Sequence, residues 1–208
     1  SSAKTVARLT RSGTHPSLLI HGSAMPTRAD RQLSAIKLGQ DCAVLGARVR
    51  TIHHITGLNP RDVQRLFFND PQAIPRGRPP NSLEWYHGAN LIARAEASIF
   101  IAIYHRLRNT GFSAGESMIS AYRGYQAICQ GPHRISFDRA FDLASHTDGI
   151  WLTPTPVFDI LSCPVCSSRF MTAIGTLAPA SDECPFCKLI QRYDTDPRLQ
   201  ASFPRHAA

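Results

Sequence analysis

The chain has 208 residues, 43% of them hydrophobic and 18% charged, with a formal net charge of +8. This length is enough for one or two domains with an apolar core. The longest apolar run, residues 97–104, is far shorter than the roughly 20 residues of a membrane-spanning helix, and residues 1–25 lack the apolar block of a secretory signal. We therefore expect a cytoplasmic protein that is neither secreted nor inserted in a membrane.

The positive charge is concentrated in one part of the sequence. Residues 1–80 contain 12 lysines and arginines but four acidic residues, whereas residues 81–208 contain 11 of each. Such a concentration favours a polyanionic partner, most often nucleic acid. The alternative is that a basic segment only increases solubility, which explains residues 4–11 better than the arginines within the predicted helices.

The first predicted helices follow a stretch without periodicity. Residues 1–28 mix Ser, Thr, Gly and Pro with scattered arginines, which indicates a flexible N-terminal arm. Apolar residues then recur at helical spacing and predict one helix over residues 29–56. Its apolar stripe comprises Leu33, Ile36, Cys42, Leu45, Val49 and Ile52. A second, short helix is predicted from Pro60 to about Phe68, with Asn59 as its N-cap.

Three further helices are predicted after a loop at residues 69–81 that contains four prolines. A long helix should begin after the N-cap Ser82 and end near Gly111. Ser113 and Ser136 are the predicted N-caps of helices over residues 114–130 and 137–148, and Gly149 should end the second of these. Together these segments predict a helical body over residues 29–149.

The remaining sequence differs in character. Prolines at positions 154 and 156 exclude a helix there, and four cysteines follow within 25 residues. We expect a small four-cysteine zinc module over residues 150–190 and a tail over residues 191–208. The predicted fold class is therefore mainly α, with a helix-turn-helix-like N-terminal region (residues 42–68) in the body and a C-terminal module similar to a zinc ribbon.

The cysteines form two Cys-Pro-x-Cys pairs with metal-ligand spacing. Cys163, Cys166, Cys184 and Cys187 fit C-x2-C-x17-C-x2-C. Each pair can place two thiolates on one side of a tight turn, so that two pairs complete a tetrahedron around Zn²⁺. Residues 169–176 could supply a hairpin strand of a ribbon. Because four cysteines leave no open position on the ion, we predict one structural zinc per chain and no catalytic metal.

Three other uses of these cysteines remain open. Disulfides are a general alternative, although they are rare in the cytosol. A thioredoxin-type redox pair would require one pair to precede a helix in a βαβ unit, and neither pair is predicted to do so. An iron–sulfur cluster also uses four thiolates.

Residues 51–69 resemble a helix-turn-helix. Gly57 lies where the turn often needs a positive φ, Leu58 should plug the interior, and Val63 and Leu66 should anchor the second helix. The polar face of that helix would then carry candidate contacts to DNA phosphates or base edges. These are Arg61, Gln64 and Arg65. Similar helical hairpins also occur in proteins that do not bind DNA.

The loop that follows contains an Arg-Gly-Arg-Pro core at positions 76–79. This core resembles an AT-hook, in which arginines reach along the minor groove, so Arg76 and Arg78 are further candidate DNA contacts. A solvated linker is the alternative. No nucleophile elbow or phosphate-cradling glycine loop is present, because the Gly115–Ile119 segment lacks the second glycine. We therefore predict that the protein is not an enzyme.

Several motifs in the expected order resemble the FlhC family of flagellar transcriptional activators. They are LGARVRTIHHITGLNPRDVQRLF at 45–67, PRGRPPNSLEWY at 75–86, AYRGY at 121–125 and the two cysteine pairs. The resemblance covers roughly residues 29–190. In the tail, Lys188, Arg192, Arg198 and Arg205 are partly offset by Asp194 and Asp196, which departs from a strongly basic C-terminal end.

This resemblance implies a specific assembly. It implies a helical protein whose four cysteines hold zinc and which forms a heterohexamer of four FlhD and two FlhC chains. That complex would bind promoter DNA upstream of flagellar operons and help to recruit RNA polymerase. The competing hypotheses are a zinc-stabilised adaptor that binds proteins but not DNA, and, less favoured, a hydrolase or nuclease with a ribbon appendage.

Overall fold

The computed structural model describes residues 25–68, 70, 75, 84–175 and 184–203. The described part is mainly helical, with one two-stranded sheet. The elements in chain order are α1 (Arg28–Val44), α2 (Val49–Thr56), α3 (Pro60–Phe67), α4 (Glu84–His87), α5 (Leu91–Asn109), α6 (Ala114–Ile128), α7 (Phe137–Asp148), β1 (Phe158–Ser162), β2 (Arg169–Ala173), α8 (Pro185–Tyr193) and α9 (Pro197–Ser202). Among these helices none combines the length and the apolarity needed to cross a bilayer.

The single helix predicted over residues 29–56 is wrong. The chain leaves α1 after Val44, and Gly46 adopts a φ of 83°, in the left-handed region that favours glycine. A new helix, α2, begins after the extended residue Arg48. The predicted stripe is correct at Cys42 and Ile52, which are fully buried, but wrong at Leu33, which is 66% exposed. The apolar periodicity of the sequence therefore continues across the break between α1 and α2, where Gly46 lies.

The long helix predicted from Ser82 is also interrupted. Ser82 lies outside the described residues, and α4 is separated from α5 by residues 88–90. The side chain of Asn90 accepts a hydrogen bond from the N–H of Ala93 at 2.9 Å and caps α5. Helix α5 is the centre of the fold, because α6, α7, α8 and the strand β2 all contact it.

Helices α6 and α7 begin where the sequence predicts. The hydroxyl of Ser113 accepts the N–H of Glu116, and the carboxylate of Glu116 accepts the N–H of Ser113, which completes a capping box. Ser136 caps α7 in the same position, and Gly149 ends it with a φ of 66°. These caps depend on neighbours in sequence, which explains why local patterns predict them.

The two strands form an antiparallel hairpin that rests on the helical body. The register pairs Phe158 with Ala173 and Ser162 with Arg169. From β2, the N–H of Met171 donates to the Ser98 hydroxyl on α5 at 3.2 Å, and the carbonyl of Met171 accepts the Tyr86 hydroxyl at 3.0 Å. The cysteine-bearing hairpin is thus fixed to α4 and α5 by hydrogen bonds buried in the core.

Candidate metal centre and nucleic-acid interface

The first cysteine pair lies in the turn between β1 and β2. Cys163 directly follows β1, its N–H donates to the carbonyl of Ser168 at 2.9 Å, and its carbonyl accepts the N–H of Ser167. Ser167 adopts a φ of 59°, which tightens the turn. This geometry turns Cys163 and Cys166 to the same side, as expected for one knuckle of a zinc ribbon.

The second pair opens a helix instead of a second hairpin. Cys184 is the N-cap of α8, Pro185 occupies the first helical position, and Cys187 lies in the first turn. The expectation that neither pair precedes a helix is therefore corrected for this pair. The described strands are antiparallel to each other, however, so the pair is not part of a βαβ unit.

The four sulfurs converge on one point. The Sγ atoms of Cys163 and Cys187 are 3.7 Å apart, as are those of Cys166 and Cys184. All four lie within 4.8 Å of one another. Zinc–sulfur bonds of about 2.3 Å give a tetrahedron with edges of about 3.8 Å, so these separations fit one four-coordinate ion. The cysteines are free thiols and form no disulfide, for which the sulfurs would have to lie at about 2.05 Å.

The thiols differ in how readily they lose a proton. Hydrogen bonds from the side chain and backbone of Ser168 lower the pKa of Cys166 to about 6. Hydrogen bonding to its neighbours, chiefly Cys166, raises the pKa of Cys187 to about 12, and burial raises the pKa of Cys184. Cys166 therefore carries thiolate character before an ion binds. A metal must displace protons from Cys184 and Cys187, so binding releases protons.

A small apolar shell surrounds the sulfurs. Phe170 on β2 is fully buried among the cysteines, and Leu161 and Phe186 pack against the same cluster. Such a shell limits the access of water and holds the two knuckles in register. The arrangement can therefore bind a metal as a structural cross-link between the β-hairpin and α8.

Helices α2 and α3 form the predicted helical hairpin. Gly57 adopts a φ of 73° in the turn, and Ile52, Leu58 and Val63 are buried beneath it. The carbonyl of Leu58 lies 2.7 Å from Nδ1 of His53, which closes the turn. The predicted anchor Leu66 is wrong, because its side chain is 43% exposed. The inward face of α3 is formed by Val63, which is fully buried, and by the half-buried Phe67, which packs against the core.

The outer face of α3 carries the predicted contact residues. Arg61, Gln64 and Arg65 are all exposed, on the side opposite the buried Val63. Arg65 donates to the carboxylate of Asp62 at 3.0 Å, so part of its charge is used locally. The other two candidates, Arg76 and Arg78, lie outside the described residues.

Asp138 on α7 holds this hairpin against the helical body. Its carboxylate accepts the backbone N–H of Arg48 at 3.1 Å and the hydroxyl of Thr51 at 2.6 Å. Oδ2 of Asp138 also lies 3.4 Å from Nε of Arg48. Because Asp138 is buried, these bonds replace the water that the carboxylate has lost. The orientation of α2, and through it α3, thus depends on a residue 90 positions after Arg48.

We predict that Gly57→Ala lowers the free energy of unfolding by about 1 to 2 kcal/mol, because an alanine is strained at this φ. No atom lies within 4 Å of the added methyl group, so the cost is conformational. Gly57→Asn should cost less, since asparagine tolerates the left-handed region. Urea unfolding of both variants measures the difference, and equal stabilities would contradict the assigned turn geometry.

Residues 29–198 match the model of a protein family described as "Flagellar transcriptional activator (FlhC)". The chain belongs to the FlhC family. The flagellar transcriptional regulator FlhC of Gallionella capsiferriformans (strain ES-2) is 28% identical over 148 residues, which cover 68% of this chain and 77% of the relative. The family resemblance inferred from the sequence motifs is confirmed.

Membership of the FlhC family supports a regulatory role in flagellar gene transcription, and this family is one of regulators, not a class of enzymes. The matched region includes the helical hairpin α2–α3, the centre helix α5 and all four cysteines. The exposed face of α3 and the cysteine cluster, both predicted from the sequence, therefore lie within the matched region.

Proposed function

We propose that this FlhC-family chain is a DNA-binding transcriptional activator subunit that acts with FlhD on flagellar operons. In this proposal it contacts promoter DNA directly and holds one structural Zn²⁺. Regulation of flagellar genes follows from the family. The partnership with FlhD, in the heterohexamer that the family resemblance implies, and the recruitment of RNA polymerase are parts of the proposal.

The proposal of direct DNA contact is supported mainly by the outer face of α3. The helix places Arg61, Gln64 and Arg65 in solvent, while Val63 is buried in the core. A helix with this arrangement can enter a major groove with its cationic and amide side chains toward phosphates and base edges. Arg76 and Arg78 remain proposed contacts on the basis of the sequence alone.

Zinc is proposed for the cysteine cluster because of its donor set. Four thiolates are soft ligands that select zinc or iron, and a tetrahedral set without an open position suits structural zinc. An iron–sulfur cluster holds iron and sulfide atoms between its thiolates, which requires sulfurs farther apart than the 3.7 Å of this cluster. When bound, zinc supplies a cross-link and not a reactive centre.

The chain's own residues position that cross-link. The hairpin reaches the cysteines from β1 and β2, which are anchored to α4 and α5 through Tyr86 and Ser98. Cys184 and Cys187 then join α8 to the hairpin. The cluster therefore adds a link between α8 and the hairpin to the direct contact between α8 and α5.

Promoter binding as a function of salt tests direct DNA contact. For the metal-loaded chain with FlhD, each phosphate contact should steepen the slope of log affinity against log salt by about 0.9. We expect Arg61→Gln to reduce the slope by about this amount. Arg65→Gln should reduce it less, because Arg65 already pairs with Asp62.

Arg106→Gln, at an exposed arginine on α5, is the matched control and should leave the slope unchanged. Fluorescence anisotropy with a labelled promoter duplex provides the measurement. If Arg61→Gln and Arg106→Gln have the same slope as the unchanged protein, α3 does not contact phosphates and the proposed role of this face is wrong.

A second candidate function is an adaptor that binds proteins without contacting DNA. It is favoured by an apolar cavity of about 510 Å³ between α8 and α9, lined by Phe186, Leu189, Ile190, Tyr193, Leu199 and Phe203 together with Asp194. If the chain is an adaptor of this kind, replacing both Arg61 and Arg65 should leave the salt dependence of promoter binding by the complex unchanged. The same anisotropy series therefore separates the two functions.

A further inference from the structure

A basic cleft lies between the start of α5 and the C-terminal helices. It has a volume of about 600 Å³. Its walls come from α5, from the segment before α7 and from α8 and α9. The charged side chains that line it are Arg94, Arg134, Lys188, Arg192, Arg198 and Asp196.

The cleft gathers like charges with little compensation. Lys188 and Arg192 are four residues apart on α8 and therefore share one face of the helix, an arrangement of like charges that destabilises a helix. Neither these two residues nor Arg198 forms a salt bridge with any residue that the structure describes. A bound polyanion would offset their repulsion.

The acidic groups nearest the cleft are already engaged. Asp196 accepts the backbone N–H of Arg198 at 2.9 Å and caps α9. Glu96 pairs with Arg134 at 2.8 Å, while another nitrogen of that guanidinium donates to Ser202 on α9. Arg134 thus fixes α9 to the body, and Lys188, Arg192 and Arg198 supply the charge that is open to a ligand.

The cationic surface extends beyond this cleft. A neighbouring cavity of about 530 Å³ shares Ala89, Asn90 and Arg134 with it and adds Arg139. The guanidinium of Arg139 lies 5.0 Å from the ring centre of Trp85. Two adjoining cavities with basic walls form an elongated surface, which fits the backbone of a nucleic acid better than one small anion.

We propose that this cleft binds phosphates of duplex DNA and that the cysteine cluster positions it for that purpose. The inference rests on the proposed DNA-binding function and adds a second contact surface to α3. Cys187 is adjacent to Lys188, so a metal held by the four cysteines would fix the start of the helix that presents Lys188 and Arg192. The helix α8 and the body then form the two sides of one phosphate-binding channel.

The test compares two forms of the metal-loaded full chain in complex with FlhD. One carries Lys188→Gln, Arg192→Gln and Arg198→Gln together, and the other carries the control Arg106→Gln. Because the three replaced side chains have no ion-pair partner among the described residues, we expect the triple variant to keep its metal content and melting temperature. Its slope of log affinity against log salt should be shallower by about 2.7, or about 0.9 for each phosphate that is no longer neutralised.

Because phosphates carry no sequence information, affinity should fall similarly for the promoter duplex and for an unrelated duplex. If the unchanged complex binds DNA and the triple variant has the same slope, this inference is wrong while the proposed function stands. If the unchanged complex does not bind DNA, the proposed function itself fails. If the triple variant instead loses FlhD during size-exclusion chromatography, the cleft is a protein interface and the inference is overturned.

Discussion

Replacing Cys163 with serine is expected to abolish metal binding and to unfold the region around the cysteine cluster. Structural zinc sites contribute about 10–16 kcal/mol, and a hydroxyl is a poor substitute for a thiolate ligand. The cluster links the β-hairpin to α8. The apolar shell around the sulfurs is too small to keep this region folded without the metal. Metal analysis should fall from one equivalent per chain to none. Limited proteolysis should produce new cuts within residues 158–175 and 184–193.

The matched control is Cys129→Ser, at a half-buried free cysteine of the helical body. This variant should retain one metal ion and resist the protease at residues 158–175 and 184–193. Retention of a full equivalent of metal by Cys163→Ser would contradict the assignment of this residue as a ligand. A protease pattern unchanged after complete metal loss would show that the ion does not stabilise the module.

Glu96→Ala should destabilise the helical body far more than the removal of an acidic side chain at its surface. The Glu96 carboxylate is buried on α5 and accepts the Tyr125 hydroxyl, the backbone N–H of Arg134 and the Arg134 guanidinium. Its removal deprives all three donors of this acceptor. Breaking a buried pair costs about 3–5 kcal/mol, and we expect the lower end because the Arg134 side chain is 26% exposed.

Asp41→Ala provides a control with the same chemistry at the surface. Asp41 pairs with Arg123 at 2.6 Å, and their side chains are 33% and 52% exposed. Such pairs contribute about 0–1 kcal/mol. Urea unfolding monitored by circular dichroism gives both free energies. Equal losses for the two variants would show that the Glu96 network does not hold α5, α6 and the segment before α7 together.

The parts of the structure that the sequence predicts best depend on neighbouring residues. The cysteine spacing predicted a metal cluster because two residues between ligands determine the shape of each turn. Asn59, Ser113 and Ser136 were predicted as caps because a cap bonds to a backbone N–H two or three residues away. These interactions are complete within a few positions, so no knowledge of the tertiary fold is needed.

The break between α1 and α2 could not be predicted from the apolar pattern. It depends on Gly46, which takes a left-handed conformation, and on Asp138, which binds the start of α2 from α7. Leu33 and Leu66 were placed in the core because the pattern records which residues are apolar. Their exposure depends on which helices are available to cover them, and that information is not local.

The basic cleft could not be predicted from the numbers of acidic and basic residues in the sequence. Residues 81–208 have equal numbers of acidic and basic residues, so the whole positive excess of the sequence lies in residues 1–80. Four of the acids, Glu96, Asp138, Asp142 and Asp148, are committed to hydrogen bonds within the helical body. Lys188, Arg192 and Arg198 therefore remain at the surface without salt bridges to the described residues. A balance of formal charge along a sequence does not describe the balance at the surface of the fold.

The salt dependence of promoter binding by the unchanged, metal-loaded chain with FlhD tests the central claim most directly. If arginines and lysines of this chain contact DNA phosphates, log affinity falls linearly with log salt, and the slope becomes shallower when Arg61 or the three cleft residues are replaced. An affinity that is constant from low to high salt would contradict direct phosphate contact. A slope equal to the one measured for FlhD without this chain would also contradict direct phosphate contact.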